Sequence, residues 1–202
     1  VKIYKGPQSI FYGPDAMAGL VEFVTDKGTG KNENEFLVGG GSFDTYRAMV
    51  SQSWGTQKHK GKVSASTFKT NGISRLNKKR FDATERDGSV THQVVSSSTH
   101  RFEKFNTDLL LGYNFGKSEL DDLSRDSKKD QTITHQLFLQ QKTSMRLSAK
   151  DSLNLRTGVN RYHREIQMSS GDNHYVGNTG QVDLFWDRRT TNLHTLLGLS
   201  LD

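Results

Sequence analysis

From Glu35 onward the chain is organised by a period of two. Phe105, Thr107, Leu109, Leu111, Tyr113 and Phe115 make one largely apolar face. The alternate residues Asn106, Asp108, Gly112 and Asn114 are polar or small, with Leu110 the exception. The same dyad returns in Ile133, Leu137, Leu139, Met145 and Leu147, and again in Leu153, Leu155, Thr157 and Val159. It returns once more in Val182, Leu184 and Trp186, then in Leu193, Leu197, Leu199 and Leu201. Alternation of this kind predicts half-buried strands. The runs approach the ~9–11 residues that a tilted strand needs to cross a bilayer.

The connections are unequal. Residues 57–60 and 149–152 are short and polar, whereas 74–100 and 168–178 are long and rich in Ser, Asn, Asp and Gly. With 74–100 as a loop, the strand ending at Phe115 and the strand over 131–147 both run toward the short-turn side. One further strand must then lie between them, and only 116–130 is available. Its Glu119-Leu120-Asp121-Asp122-Leu123-Ser124-Arg125-Asp126 is a poor strand. Either that stretch is a weak strand, or one hairpin is assigned wrongly.

The first thirty residues differ. Strand-like pieces at 2–5 and 20–25 flank a turn segment marked by Gly6-Pro7 and Gly13-Pro14. Asp15 can cap a single helical turn that Gly19 ends. Lys27-Gly28-Thr29-Gly30-Lys31 reads as a linker.

Composition sharpens the class. Only 32% of the 202 residues are hydrophobic, yet 19 glycines and two prolines do not describe a disordered linker. A transmembrane barrel reconciles these values, because its strands need apolar side chains on one face only. Barrels of the outer membrane also combine short periplasmic turns with long external loops. No run of about 18 apolar residues offers a transmembrane helix. The absence of cysteine excludes a disulfide scaffold, thiolate zinc and cysteine catalysis. The formal charge of +6 is dispersed, and its one dense cluster, Lys78-Lys79-Arg80, is followed by Asp82, Glu85 and Asp87. Nucleic-acid binding, which needs a basic stripe or patch, is not expected.

The segment from Ile3 to Thr25 resembles the end of the plug in TonB-dependent outer-membrane receptors. It keeps Gly6-Pro7, Ser9, Tyr12-Gly13, Ala16, Gly19 and Thr25 of the family pattern. It departs at Lys5, where Arg is usual, at Ala18, usually Gly, and at Glu22, usually Asn. Lys5 cannot reproduce the two-pronged contact of an Arg with a carboxylate. Gly39-Gly40-Gly41-Ser42-Phe43-Asp44-Thr45-Tyr46-Arg47 is similar to the family's first barrel hairpin, and Thr70-Asn71-Gly72 to the outer end of its third strand. The resemblance covers about the first 75 residues.

The resemblance implies an all-β chain in two parts. Residues 1–30 would be the C-terminal part of a plug domain, with Gly6, Pro7, Tyr12, Gly13 and Gly19 as its structural motif. Residues 31–202 would be the N-terminal strands of a partial transmembrane antiparallel β-barrel, part of a 22-stranded plugged barrel. It further implies the outer membrane of a Gram-negative bacterium and import of a scarce nutrient such as a ferric siderophore, haem or cobalamin. The expected partners are outer-membrane lipid and lipopolysaccharide, the TonB complex and a small-molecule substrate. No cofactor and no catalytic residue are expected. Two rivals remain open: a non-transport barrel or adhesin, told apart by whether a plug precedes it, and a soluble extracellular carbohydrate-binding β-domain, told apart by solubility without detergent.

Candidate chemistry is sparse. His59, His92, His100, His135, His163, His174 and His194 show no metal-ligand spacing. The alternation puts His135 on the lipid side of its strand. Asp121, Asp122 and Asp126, or Asp172 with Asn173, have oxygens suited to calcium, but solvated loop carboxylates are the simpler account. Gly39-Gly40-Gly41 lacks the Gly-Lys-Ser/Thr of a phosphate loop. Tyr113, Phe115 and Trp186 fit an interfacial aromatic girdle as well as ordinary strand propensity. Arg75, Arg80, His174 and Tyr175 fall in the expected external loops and are the candidate ligand contacts.

Overall fold

The computed structural model describes residues 1–6, 18–22, 26–74, 86–121 and 130–201. Pro7, Tyr12, Gly13, Arg75, Arg80 and the expected helical turn after Asp15 lie outside them. All regular structure among the described residues is β. β1 (Lys2–Lys5) and β2 (Gly19–Glu22) form a two-stranded antiparallel sheet in which Ile3 pairs with Val21. Gly19 has φ +155°, and a Cβ there would come 2.7 Å from the Tyr4 carbonyl oxygen, so a side chain is excluded at this pairing.

The second sheet contains nine strands. They are β3 (Glu33–Gly41), β4 (Thr45–Gly55), β5 (His59–Thr70), β6 (Ser89–Arg101), β7 (Phe105–Glu119), β8 (Gln131–Arg146), β9 (Asp151–Gln167), β10 (Asn173–Arg189) and β11 (His194–Leu201). Each pairs antiparallel with the next in sequence, giving an open meander with β3 and β11 at its edges. One end carries short turns at 56–58, 102–104, 147–150 and 190–193. The opposite end carries the tight turn 42–44 and the connections 71–88, 120–130 and 168–172.

Two sequence expectations are corrected here. The stretch 74–100 is not one loop, since Ser89–Arg101 is a full strand paired on both sides. This strand supplies the missing element of the count; of 116–130, residues 116–119 finish β7 and the Leu120 amide donates to the Asp130 carbonyl, while 122–129 lie outside the described residues. The reason for the misreading is that Ser96-Ser97-Ser98 and adjacent Val94-Val95 give β6 no apolar alternation, so pairing with β5 and β7 decides its conformation. The second correction concerns 168–178. Only 168–172 connects, and His174 and Tyr175 belong to β10, opposite Glu165 and Arg164 of β9.

The two faces of the sheet differ in kind. One presents Phe36, Val50, Val94, Leu109, Leu111, Leu137, Leu139, Val159, Val182, Leu184 and Leu199, all exposed. Phe36 is 77% and Leu199 75% exposed, so no second layer covers this face. The other face carries Ser, Thr, Asn, Gln and charged residues. Among the described residues the largest fully buried side chain is Asp130, not an apolar one. This is the inverse of a water-soluble fold, which covers such a face.

The apolar belt slants across the sheet. Straight pairing connects Phe36 through Val50, Ala65, Val94, Tyr113, Leu137 and Arg161 to Asn178. Yet the apolar cluster of β10 on this face, Val182, Leu184 and Trp186, is centred six residues nearer the short turns, with Val176 alone left near the level of Asn178. Six residues along a strand against seven strand spacings is ~20 Å against ~34 Å, a slope of about 30°. A belt level with a membrane therefore requires strands tilted by about that angle, close to the 35–45° of membrane barrels.

Aromatic residues border the belt. Toward the long connections His92, Phe115, His135 and His163 stand side by side on one row, with centroids 5.6, 5.1 and 6.2 Å apart. Toward the short turns lie Trp54, Phe102, Phe105 and Trp186, with Phe102 on Phe105 at 4.4 Å. Phe105 and Phe115 are ten residues apart on β7, ~33 Å along the strand and about 29 Å along a membrane normal at a tilt of about 30°. With the two rings at its borders, that is close to the ~25 Å height of the apolar band of an outer-membrane barrel.

Candidate functional site

The polar face is held by side-chain ladders. Gln93 donates to Asn114 at 2.8 Å, Asn114 to Gln136 at 3.2 Å and Gln136 to Asn160 at 2.9 Å, crossing β6 to β9. The register causes this, because Gln93–Asn114, Asn114–Gln136 and Gln136–Asn160 are all close cross-strand neighbours on one face. Aromatic rings lie over cross-strand glycines: Phe138 over Gly112, Tyr162 over Gly177 and Phe185 over Gly198. Arg156 stacks on the Phe185 ring at 5.0 Å.

Residues 26–30 are clamped onto this face near the short turns. Lys62 of β5 donates to Asp26 at 2.7 Å and to Glu35 at 2.6 Å. Ser97 of β6 donates to the Asp26 carbonyl at 2.8 Å, and Lys60 to the Gly28 carbonyl at 2.8 Å. Lys27 pairs with Asp108 of β7, whose other oxygen accepts from Thr99 at 2.7 Å. Ser53, Ser97 and Thr99 beneath the segment are buried. Gly28 has φ +77°, and a Cβ there would stand 2.8 Å from the Gly61 carbonyl oxygen, so the backbone itself presses on the wall. The Lys62 ammonium first, and the Gly28 amide second, hold the Asp26 carboxyl below its usual range. Beside the clamp, a polar recess of about 410 Å³ is lined by Lys27, Lys60, Thr99, Arg101, Asn106 and Asp108.

This clamp was not found in the sequence. Its signal is faint: Lys60, Lys62 and Asp108 sit in strands at unrelated spacings, and only the register gathers them.

The end with the long connections is interlocked differently. Asp130 accepts from the Ser169 amide at 2.6 Å and its hydroxyl at 2.9 Å, tying two connections together. Glu119 accepts from the Gly88 amide at 2.7 Å. In the turn 42–44, Phe43 and Asp44 both have positive φ, which suits a tight hairpin but is unusual for Phe. Asp44 is held there by Asn71 at 2.8 Å and Arg86 at 3.2 Å.

The candidate ligand contacts are not all gathered at this end. His174 and Tyr175 lie at the start of β10, where successive side chains face opposite sides of the sheet. Tyr175 falls on the polar face with Arg164, whereas His174 stands 6.3 Å from His163 on the apolar one. Tyr113 is bonded to His135 at 2.8 Å on the apolar face. Among the described residues no three His, Asp or Glu converge as a metal site. Asp122 and Asp126 lie outside the described residues.

No family model matches the chain. Over 124 residues, 60% of the chain, it is 28% identical to the vitamin B12 transporter BtuB of Photobacterium profundum. The chain spans about a fifth of that protein's length.

Proposed function

We propose that this chain is part of a TonB-dependent receptor of the Gram-negative outer membrane, joining the end of the plug to the first nine strands of the barrel wall. The observation that carries this reading is the bare apolar belt, slanted by about 30° and bordered by aromatic residues, on a sheet whose opposite face is polar and holds a docked segment. A belt of this kind suits lipid, which solvates the apolar side chains while the strand ladders satisfy the backbone. Its polar reverse then lines a lumen, and residues 1–30 lead into it from the plug. The full barrel has 22 strands.

The complete receptor imports a small molecule with energy delivered through TonB. Among the candidate cargoes, cobalamin is favoured over ferric siderophores, since the similar transporter is named for vitamin B12. The substrate passes unchanged, so import calls for no catalytic residue. Its first contacts are at the long-connection end, with Arg75, Arg80 and Tyr175 as candidates.

The test is uptake of labelled vitamin B12 by a strain lacking its own B12 receptor and expressing the complete protein. Uptake that disappears when TonB is deleted is expected. A protein correctly inserted in the outer membrane but inactive toward B12 overturns the cargo. Recovery in the soluble fraction overturns the barrel.

A further inference from the structure

We propose that the long-connection border of the lipid-facing surface is a docking strip for the phosphorylated headgroup of lipopolysaccharide, built by Lys69, Lys117 and Arg161 with the imidazoles of His92, His135 and His163. The inference rests on the barrel reading above and adds to it which lipid the wall holds, and where.

The register gathers these groups from five strands, and alternation puts each on the apolar face. In three strands a cation follows the apolar residues: Val63 and Ala65 before Lys69, Leu109 and Leu111 before Lys117, Leu155 and Val159 before Arg161. A long cationic side chain placed there keeps its stem in hydrocarbon and carries its charge to the headgroup layer. Lys69 and Lys117 both oppose Val90 of β6, so they stand two strand spacings apart, ~10 Å. Arg161 is two strands further on, opposite Leu137 of β8. Tyr113 meets His135 at Nδ1, 2.8 Å away, which leaves Nε2 to offer a phosphate. The strand carboxylates of this face at that end are engaged: Glu119 accepts from the Gly88 amide and Glu165 from Gln167.

The opposite border is built differently. Its strands present Trp54, Phe105, Met145 and Trp186 on this face, and Arg188 there has Asp151 3.9 Å away. Lys104 and Lys150 of that end line a recess with Arg146 and Arg189, on the polar side of the wall. The excess positive charge of the lipid-facing strands thus lies at the long-connection end, the outer-leaflet end of the barrel. Cations spread from β5 to β9 suit one headgroup with more than one phosphate above several acyl chains. A phospholipid with a single phosphate would span only part of the strip. Arg161 offers a phosphate two parallel N–H donors, whereas Lys69 and Lys117 offer point charges.

For the test, the complete receptor is purified in detergent, stripped of lipid and titrated with three probes. These are fluorescent lipopolysaccharide, the same lipopolysaccharide after enzymatic removal of its phosphates, and phosphatidylglycerol in mixed micelles. Heat-modifiable migration on a gel checks that each protein is folded. The wild type is expected to bind intact lipopolysaccharide severalfold more tightly than either other probe. Lys69→Gln, Lys117→Gln and Arg161→Gln combined should abolish that preference. Lys58→Gln, Lys104→Gln and Lys150→Gln combined, which remove as much charge at the other end, should leave it unchanged. A folded first triple variant that keeps the preference overturns the proposal, and so does equal weakening by the two triple variants, since net charge would then suffice. Equal affinity for the dephosphorylated lipid also overturns it, and this comparison on the wild type decides the matter even if a variant fails to fold. Tighter binding of phosphatidylglycerol overturns the choice of lipid. A wild-type receptor recovered in the soluble fraction counts against the barrel reading itself; a heat-modifiable one that does not discriminate among the probes counts against the strip alone.

Discussion

Gly112 shows how single residues hold a sheet that has no core. It faces Phe138 directly across the β7–β8 ladder, and the ring occupies the space a side chain would take. Gly112→Val should force the ring away and cost about 1–3 kcal/mol, as overpacking does. Combining it with Phe138→Ala should cost less than the two changes added together, measured by thermal denaturation of the complete receptor in detergent. Simple additivity would show that the two do not interact. Asp26 offers a pH test at the same scale. Its carboxyl is held below the ordinary range by Lys62, so its contribution is present above pH ~4 and is lost as the pH falls through the lowered folded value. The stability difference between the wild-type protein and its Asp26→Asn variant, both purified in detergent, should therefore hold from neutral pH to about 4 and vanish below it. A difference that begins to shrink near pH ~6 would implicate another group, since an unperturbed histidine titrates there. These contacts are illegible in the sequence, because Lys62, Ser97 and Asp108 are brought under residues 26–27 only by pairing between strands.

At the level of elements, β8 gives the sharpest test of which face meets lipid. Leu139 and Gln140 are neighbours in sequence and point to opposite faces, Leu139 into the belt between Leu111 and Val159. Leu139→Arg should reduce insertion of the complete receptor by roughly 2–4 kcal/mol if it lies at the midplane. Gln140→Arg should be close to neutral. Equal losses in outer-membrane yield would refute the facing. β6 marks the limit of pattern reading. Its serines and threonines face both sides, and its neighbours β5 and β7 hold it in register. β10 is the milder case: Asn173-His174-Tyr175-Val176-Gly177-Asn178 looks like a loop, but it completes the ladder that β9 begins.

For the whole molecule, the open meander is the decisive feature. β3 and β11 are not paired to each other, so each leaves a row of backbone donors and acceptors without a strand partner. Such an edge costs several kcal/mol per unsatisfied group in hydrocarbon and invites aggregation in water. The 202 residues expressed alone with a signal peptide are therefore expected to aggregate and to show no heat-modifiable band on a gel. A compact, heat-modifiable species would mean that nine strands suffice to close a small barrel.

The sequence alone determined the class of structure: all-β, apolar on one side of most strands, with short turns alternating with longer connections. It did so because side-chain direction alternates strictly along a strand, so a one-faced solvent leaves a period of two. The strand-like pieces at 2–5 and 20–25 were legible as well, being set off by local turn residues, and β1 and β2 cover 2–5 and 19–22. The tertiary structure alone decided that β6 is a strand, that the apolar belt slants by about 30°, and that residues 26–30 are clamped to the polar wall. Each depends on register, the offset between neighbouring strands, which brings together residues as distant as Lys27 and Asp108 and leaves no spacing in the chain that a one-dimensional pattern can show.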